Sequence, residues 1–196
     1  MKKYFFIFLF FSLTSFSQEF IFPKIDFKNT TEKPNPYIEL LSLEDKNSLI
    51  LKTSFNSYWY GGTIFYFLVF QSNGNVSKYE YKYSGEKKLK IIKKRISKKK
   101  CKFYWEFLNS CSKENLFDID YTKLNITSKP INDSISESMI ISDGLHQSFE
   151  ITKLNQYSAF DTYCPESYIE KKYPGYEERQ KLLTLITRFT FTYDNY

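Results

Sequence analysis

Several residue types on which enzyme chemistry depends are scarce in this 196-residue chain. It contains one histidine, His146, so metal sites of the His-Glu-x-x-His type and triads built on histidine lack an identifiable set of partners. No Gly-x-Ser-x-Gly motif, phosphate-binding loop or dinucleotide-binding glycine fingerprint occurs. The three cysteines form no Cys-x-x-Cys pair, so neither a zinc ribbon nor a thioredoxin-type site is supported. We therefore expect no metal site and no cofactor.

Beyond the N-terminus, no segment is long and apolar enough to span a membrane. Residues 1–3 are Met-Lys-Lys, Tyr4–Phe11 is wholly apolar, and Ser15–Ser17 supplies small residues. This pattern is typical of a secretory signal peptide, with cleavage between Ser17 and Gln18. The alternative is an N-terminal transmembrane anchor, which would need about 20 apolar residues. The sequence thus predicts a signal peptide over 1–17 and an exported protein, periplasmic or extracellular, with no membrane-spanning segment after cleavage.

An apolar hairpin pattern dominates the centre of the chain, from Thr63 to Tyr83. Its first half is almost continuously apolar, whereas its second half alternates lysine and glutamate with tyrosine. Asn73-Gly74 between the halves can adopt the positive φ values of a tight turn. The pattern predicts a β-hairpin whose first strand lies centrally in a sheet and whose second strand borders solvent.

The remaining patterns predict an extended lead-in over 18–35 and a single domain over 36–196. Further strands are predicted at Tyr37–Glu44, Ser48–Phe55, Lys87–Ile92, Met139–Ser142, His146–Lys153 and Gln156–Phe160. Helices are predicted after an N-cap at Ser97, over Pro165–Glu170 and over Tyr176–Arg188, and Leu116–Ser138 is expected to be a surface connection. This order indicates an α+β fold: an antiparallel sheet with two main helices packed on one face.

Three short motifs carry a resemblance to a known group of proteins. They are the turn Asn73-Gly74-Asn75-Val76, the helix end Asn115-Leu116-Phe117 and the last helix from Tyr176. The hairpin–helix–hairpin–helix layout from Ser48 to Phe189 resembles small exported domains of unknown function in Bacteroidota. The end of the signal peptide, Ser-Gln, is similar to theirs. The resemblance implies export and an α+β fold, and it implies no activity.

Positive charge is concentrated in one segment. The formal net charge is +6, or +4 without Lys2 and Lys3, and the segment Lys87–Lys102 holds ten basic residues and no acidic one. A basic block of this kind can bind a polyanion, with Lys98, Lys99 and Lys100 as its core. The alternative is a solvated strand edge and helix start, because lysines at a sheet edge also block unwanted strand pairing.

A second candidate binding site is the aromatic loop Asn56–Gly62. Tyr58, Trp59 and Tyr60 are consecutive and precede two glycines. If exposed, they form a stacking platform for a sugar, a peptide or a protein. If buried, they close one end of the core, which is the default in a chain that is 20% aromatic. Three consecutive side chains in an extended segment cannot all point one way, so we expect at least one to be exposed.

The cysteines permit one disulfide in an exported protein. Cys101 and Cys111 are ten residues apart in one predicted helix, or about 15 Å, too far to bond with each other. Cys111 lies on the apolar stripe of that helix, and Cys164 follows a predicted strand. We therefore predict a Cys111–Cys164 bond, which would stabilise the fold by roughly 3–4 kcal/mol. The alternative is three buried thiols.

Other polar groups give weaker indications of a functional site. Asp118 and Asp120 would share one face of an extended segment, but calcium needs several more oxygen ligands. His146 lacks a second member of an acid–base set in the sequence.

These observations favour a non-enzymatic binding or protein-interaction module, with an unknown protein, peptide or glycan as partner. Two alternatives stay open. One is a hydrolase with a carboxylate-based site, because the separation of carboxylates in space cannot be read from sequence. The other is an inhibitor or immunity-type protein.

Overall fold

A seven-stranded antiparallel sheet forms the centre of the computed structural model, which describes residues 20–33, 35–57, 63–84, 87–142 and 144–196. The strands are β1 (Asn29–Thr30), β2 (Leu49–Ser57), β3 (Thr63–Phe70), β4 (Val76–Ser84), β5 (Lys87–Arg95), β6 (Ser128–Asn132), β7 (Ile135–Ser138), β8 (Leu145–Lys153) and β9 (Gln156–Tyr163). The helices are α1 (Pro36–Leu40), α2 (Lys98–Lys113), α3 (Tyr121–Leu124), α4 (Pro165–Glu170) and α5 (Tyr176–Asn195). The large sheet has the order β1-β9-β8-β2-β3-β4-β5, and β6 and β7 form a separate hairpin.

The predicted central hairpin is confirmed as β3 and β4. Its loop places Gly74 at φ +82°, where the Gly74 N–H donates to the Gln71 carbonyl over 3.0 Å. The Gln71 N–H donates to the Asn75 carbonyl over 2.9 Å, which closes a three-residue loop with glycine in the left-handed position. A Cβ at Gly74 would lie 2.1 Å from the ring of Phe20, so glycine is needed for space as well as for conformation.

The two long helices, α2 and α5, pack on one face of the sheet, as predicted. We call this the helix face. Its buried cluster includes Leu49, Leu51, Leu68, Phe70, Phe149 and Ile151 from the sheet, Tyr104, Trp105, Leu108 and Cys111 from α2, and Leu182, Leu185, Ile186 and Phe189 from α5. Aromatic residues of the lead-in extend this cluster, because Phe20 and Phe22 both pack against Trp105, with ring centroids 5.2 and 5.4 Å away.

The other face of the sheet, which we call the open face, is covered at one end by α1 and the residues after it. Tyr37, Ile38, Leu41 and Leu43 pack there against Ile50, Phe67, Val69 and Tyr79. The prediction of a strand over Tyr37–Glu44 is therefore wrong. Pro36 occupies the first turn of α1, and the side chain of Asn35 accepts a hydrogen bond from the Tyr37 N–H, which together start a helix.

Two further sequence predictions differ from the structure. The segment Leu116–Ser138 contains α3, β6 and β7, and its residues Leu116, Phe117, Ile119 and Leu124 are buried, so it is not simply a surface connection. Met139–Ser142 is irregular and not a strand. The predicted signal peptide lies in residues 1–17, outside the described residues.

Candidate functional site

The open face carries a row of polar side chains across β2 and β8. Because the two strands are antiparallel and in register, their alternate residues face each other directly. The facing pairs are Lys52 with Glu150, Ser54 with Ser148, and Asn56 with His146. These residues come from segments about a hundred positions apart in the chain, and the sheet order alone brings them together.

The centre of this row is a hydrogen-bonded network of Tyr37, Lys52 and Glu150. The Tyr37 hydroxyl donates to Glu150 Oε2 over 2.8 Å, and Lys52 Nζ lies 2.7 Å from the Tyr37 hydroxyl and 3.0 Å from Glu150 Oε2. The side chains of Lys52 and Glu150 are only 18% and 20% exposed. Lys52 Nζ also lies 5.1 Å from the ring centroid of Tyr37 and 5.3 Å from that of Phe65.

Tyr37 keeps its proton in this network. Burial is the main cause that raises the pKa of its hydroxyl far above the ordinary value, and the negative charge of Glu150 adds to the effect. The phenol is thus a fixed hydrogen-bond donor, while Lys52 balances the carboxylate. The three side chains thus present charged and polar groups in a defined arrangement.

The other end of the row contains hydroxyl and imidazole groups. The hydroxyls of Ser54 and Ser148 lie 2.6 Å apart, and His146 Nε2 lies 3.3 Å from Asp161 Oδ2. No partner for His146 is apparent from the sequence, because the predicted last strand ends at Phe160 and leaves Asp161 out. β9 continues to Tyr163, so the alternation of that strand places Asp161 on the open face next to β8.

A cavity of about 300 Å³ adjoins the network. It lies between the lead-in and strands β8 and β9, and its lining includes Thr31, Lys33, Asn35, Glu150 and Tyr157. Asn35 holds its wall in place, because its side-chain amide donates to Thr152 Oγ1 over 2.8 Å. The predicted extended lead-in therefore forms part of a concave site, a role that its sequence did not indicate.

A second, larger cavity of about 580 Å³ lies at the start of α5. Its lining includes Lys123, Lys129, Lys172 and Glu178. Glu178 is already engaged, since its carboxylate accepts from the Asp120 N–H over 3.1 Å and lies 3.5 Å from Lys181 Nζ. The larger cavity is thus lined by charges of both signs, and it lies farther from the polar row than the smaller cavity does.

The predicted aromatic residues Tyr58, Trp59 and Tyr60 lie outside the described residues. The described strands on either side, β2 and β3, end at Ser57 and begin at Thr63. At this end of the sheet Asn56 pairs with Thr63 on one side and with His146 on the other. The chain on each side of the aromatic stretch therefore meets the open face at the polar row.

The predicted basic block is split between β5 and the first turn of α2. Lys98, Lys99 and Lys100 are exposed in that turn, and Ser97 is the N-cap, as predicted, although its side chain makes no capping hydrogen bond. Burial lowers the pKa of Lys78, and the positive charges of Lys94 and Lys100 lower it further. These lysines therefore lie close enough to raise the local positive potential. We call the exposed residues Lys93, Lys94, Arg95, Lys98, Lys99, Lys100 and Lys102 the basic surface.

The predicted disulfide between Cys111 and Cys164 is not formed. Cys101, Cys111 and Cys164 are all buried free thiols. Cys111 lies inside the helix-face cluster, whereas Cys164 precedes α4, where its N–H donates to the Leu145 carbonyl over 3.0 Å. Burial raises the pKa of the Cys111 thiol to about 12 and also raises the pKa of Cys164, so both thiols stay protonated near neutral pH.

The two aspartates considered as cation ligands have other roles. Asp118 Oδ1 lies 2.7 Å from Lys28 Nζ, and Asp120 caps α3 by accepting from the Thr122 N–H over 3.1 Å. Within the part of the chain that the structure describes, there is no group of three or more His, Cys, Asp or Glu residues that could hold a metal ion.

Among the described helices, none has the length and apolar character needed to cross a membrane. No protein-family model matches the chain, and a search of curated proteins returns no significant match.

Proposed function

We propose that this chain is an exported, non-enzymatic binding module whose ligand site is the polar row of the open face and the cavity beside it. The observation that carries the proposal is the Tyr37–Lys52–Glu150 network at the edge of a 300 Å³ cavity. Small-ligand and peptide sites are commonly concave and largely preformed, with a few fixed polar groups among apolar ones. The network supplies such fixed groups.

Aromatic side chains provide the apolar part of the proposed site. Phe65 and Tyr81 lie side by side on the open face, with ring centroids 5.6 Å apart, and both are half-buried. Phe65 also contacts the ammonium group of Lys52. Aromatic faces next to hydrogen-bonding groups suit a glycan, a peptide or a protein loop, because they bury area at low entropic cost.

Export is the second part of the proposal. It rests on residues 1–17, where a positive start, an apolar segment and small residues succeed one another. The periplasm and the extracellular space are both consistent with this pattern.

A ligand screen tests the binding site. The full chain, labelled with ¹⁵N, would be titrated with soluble glycan fragments and short peptides, and amide shifts recorded by NMR. We expect shifts at Lys52, Ser148 and Glu150, and a loss of affinity in Glu150→Gln, since one group of the network is altered. Glu177→Gln, at an exposed position on α5, is the matched control. Shifts that map to another surface, or equal binding by both variants, would contradict the proposal.

A carboxylate-based hydrolase is the second candidate, because Glu150 and Asp161 share the open face on neighbouring strands. Glu150 pairs with Ala159, so Asp161 is its diagonal neighbour. The backbone positions of diagonal neighbours lie about 7–8 Å apart. Carboxyl groups on such positions can reach the separations of glycosidase pairs, which are about 5–5.5 Å in retaining and about 6.5–9.5 Å in inverting enzymes. Both carboxylates are already paired, with Lys52 and His146, and this favours binding over turnover.

Chromogenic glycosides, esters and peptides separate the two candidates. The binding proposal expects no turnover of any of them. Turnover that is abolished in both Glu150→Gln and Asp161→Asn, but retained in Glu177→Gln, would establish the hydrolase instead.

A further inference from the structure

Strand β5 leaves an open edge on the sheet. Among the described strands it pairs with β4 alone, and it is nine residues long. At the opposite edge, β9 is covered by the lead-in: β1 pairs with it, and the Thr31 N–H donates to the Asn155 carbonyl over 2.9 Å. Alternate N–H and C=O groups of β5 therefore point away from β4, where an added strand could bind them.

This edge is positively charged on both sides. Lys93 and Arg95 face the open side, opposite Tyr79 and Ser77, whereas Lys94 faces the helix side, opposite Lys78. All three β5 side chains are exposed. Successive residues of an added strand would point to alternate faces of the sheet, so both sets of its side chains would meet cations.

Little carboxylate charge offsets these cations. Glu80 lies 3.7 Å from Lys94 Nζ, but it is also 2.9 Å from Lys82 Nζ. Within the described residues, Lys93 and Arg95 have no ion-pair partner, and Lys98, Lys99 and Lys100 extend the charge into α2. The basic surface thus continues past the end of the strand.

We infer that β5 binds an acidic, extended polypeptide segment, which joins the sheet as an additional antiparallel or parallel strand. Strand addition supplies backbone hydrogen bonds, and acidic side chains on both faces of the added strand complement the basic surface. A polysaccharide or a nucleic acid would use the charge but not the backbone groups of the edge. This surface is separate from the proposed ligand site at Lys52 and Glu150, so each can fail without the other.

The test uses the full chain and a capped eight-residue peptide, Glu-Glu-Thr-Thr-Glu-Glu-Thr-Thr, which places glutamates on both faces of an added strand. A charge-identical version carries N-methyl groups on all internal backbone amides, so it cannot donate hydrogen bonds to the strand edge in either orientation. We expect the unmodified peptide to bind, with weaker binding as salt rises, and the methylated version to lose binding. Hydrogen exchange should slow at alternate amides of Lys87–Arg95 when the peptide is bound.

Charge variants give the matched comparison. Lys93→Gln with Lys94→Gln should weaken peptide binding by roughly two- to thirtyfold, since each exposed ion pair contributes modestly. Lys24→Gln with Lys171→Gln removes the same charge from exposed positions outside the basic surface and should change the affinity less than twofold.

Three results would overturn the inference. Equal binding of the methylated and the unmodified peptide would show that the backbone groups of the edge are not used. Equal affinity for heparin or duplex DNA would show a surface that recognises charge alone. Absence of peptide binding at low salt would indicate that the lysines prevent strand pairing at this edge and do not recruit a partner.

Discussion

At the scale of single residues, the most unusual side chain is Arg179 near the start of α5. It is fully buried, and its guanidinium has carbonyl oxygens as partners: Nη1 donates to Pro174 over 2.8 Å and Nη2 to Ile126 over 2.7 Å. It also lies over the ring of Tyr168, 4.7 Å from the centroid. One side chain therefore ties the α4–α5 turn to the segment after α3, at the cost of a buried charge.

The geometry of Arg179 predicts that lysine cannot replace it. Lysine has a single ammonium group and cannot reach both carbonyls while stacking on Tyr168. We expect Arg179→Lys to lower the free energy of unfolding by about 2–4 kcal/mol, measured by urea denaturation. Arg188→Lys is the matched control, because Arg188 pairs with Glu114 at an exposed site and should cost under about 1 kcal/mol. Equal losses in both variants would contradict this role for Arg179.

The candidate site also shows what a sequence can say about single residues. Strand alternation places Lys52 and Glu150 on the polar face of their strands, so their orientation follows from the local pattern. Their contact with each other and with Tyr37 does not, because it depends on β8 pairing with β2 across about a hundred residues. The pattern of Tyr37–Glu44 predicts a strand and so obscures the role of Tyr37, although Asn35-Pro36 before it is a helix start signal.

At the scale of elements, local signals predicted the start and end of α2 well. Ser97 is its N-cap, and Asn115 after it adopts φ +55°, while the Leu116 N–H donates to the Cys111 carbonyl over 2.9 Å. This is the left-handed helix ending that asparagine tolerates. The segment after α2 is harder to predict from sequence, because its buried residues, which include Phe117 and Ile119, follow no helical or strand period along its length.

The charges at the two ends of α2 lead to a prediction about this helix. Lysines in its first turn oppose the positive end of the helix dipole, and Lys113 in its last turn complements the negative end. We expect Lys99→Glu to raise the free energy of unfolding by about 0.3–1 kcal/mol, and Lys113→Glu to lower it by a similar amount. Urea denaturation at low ionic strength measures both.

This pair of variants separates helix stability from partner binding. Lys99→Glu should also weaken binding of the acidic peptide, because Lys99 belongs to the basic surface. A protein that gains stability while it loses affinity would show that these lysines are kept despite their effect on the helix. Destabilisation by Lys99→Glu would mean that the dipole argument does not hold at this end.

At the scale of the whole molecule, the sheet divides the chain into two chemically different sides. The helix face is buried beneath α2, α5 and the lead-in, whereas the open face keeps its polar row beside α1. Composition and hydrophobic period predicted this α+β layout, because they depend on local sequence. The sheet order did not follow from them, and that order alone sets the neighbours of the candidate site and leaves β5 at an edge.

The core of the molecule contains tyrosines whose hydroxyls have no hydrogen-bond partner within the part of the chain that the structure describes. Tyr104 is fully buried and Tyr193 is 4% exposed, and neither hydroxyl has a hydrogen-bond partner among the described residues. Burial raises the pKa of both phenols well above their usual value near 10. The folded protein therefore keeps these protons at pH values where the unfolded chain begins to release them.

This difference predicts a loss of stability in alkaline solution. The folded pKa of each phenol lies above the unfolded value, so the stabilisation is complete below about pH 10 and declines as the pH rises toward the folded pKa. Each tyrosine contributes a slope of about 1.4 kcal/mol per pH unit in that window. Urea denaturation between pH 8.5 and 11.5 should show the decline, with tyrosine ionisation followed by absorbance.

The double variant Tyr104→Phe with Tyr193→Phe isolates this effect. Its free energy of unfolding should fall less steeply with pH than that of the original chain. The difference between the two slopes should be about 2.8 kcal/mol per pH unit for two tyrosines. Lys78 lies near both rings, and burial lowers its pKa, so its own contribution to stability rises with pH. Because Lys78 is present in both proteins, this contribution largely cancels in the comparison. Near neutral pH the phenylalanine rings should be tolerated, because the hydroxyls they replace are buried and accept or donate no hydrogen bond among the described residues. Parallel pH profiles for the two proteins would show that the phenols ionise equally easily in the folded and unfolded chains.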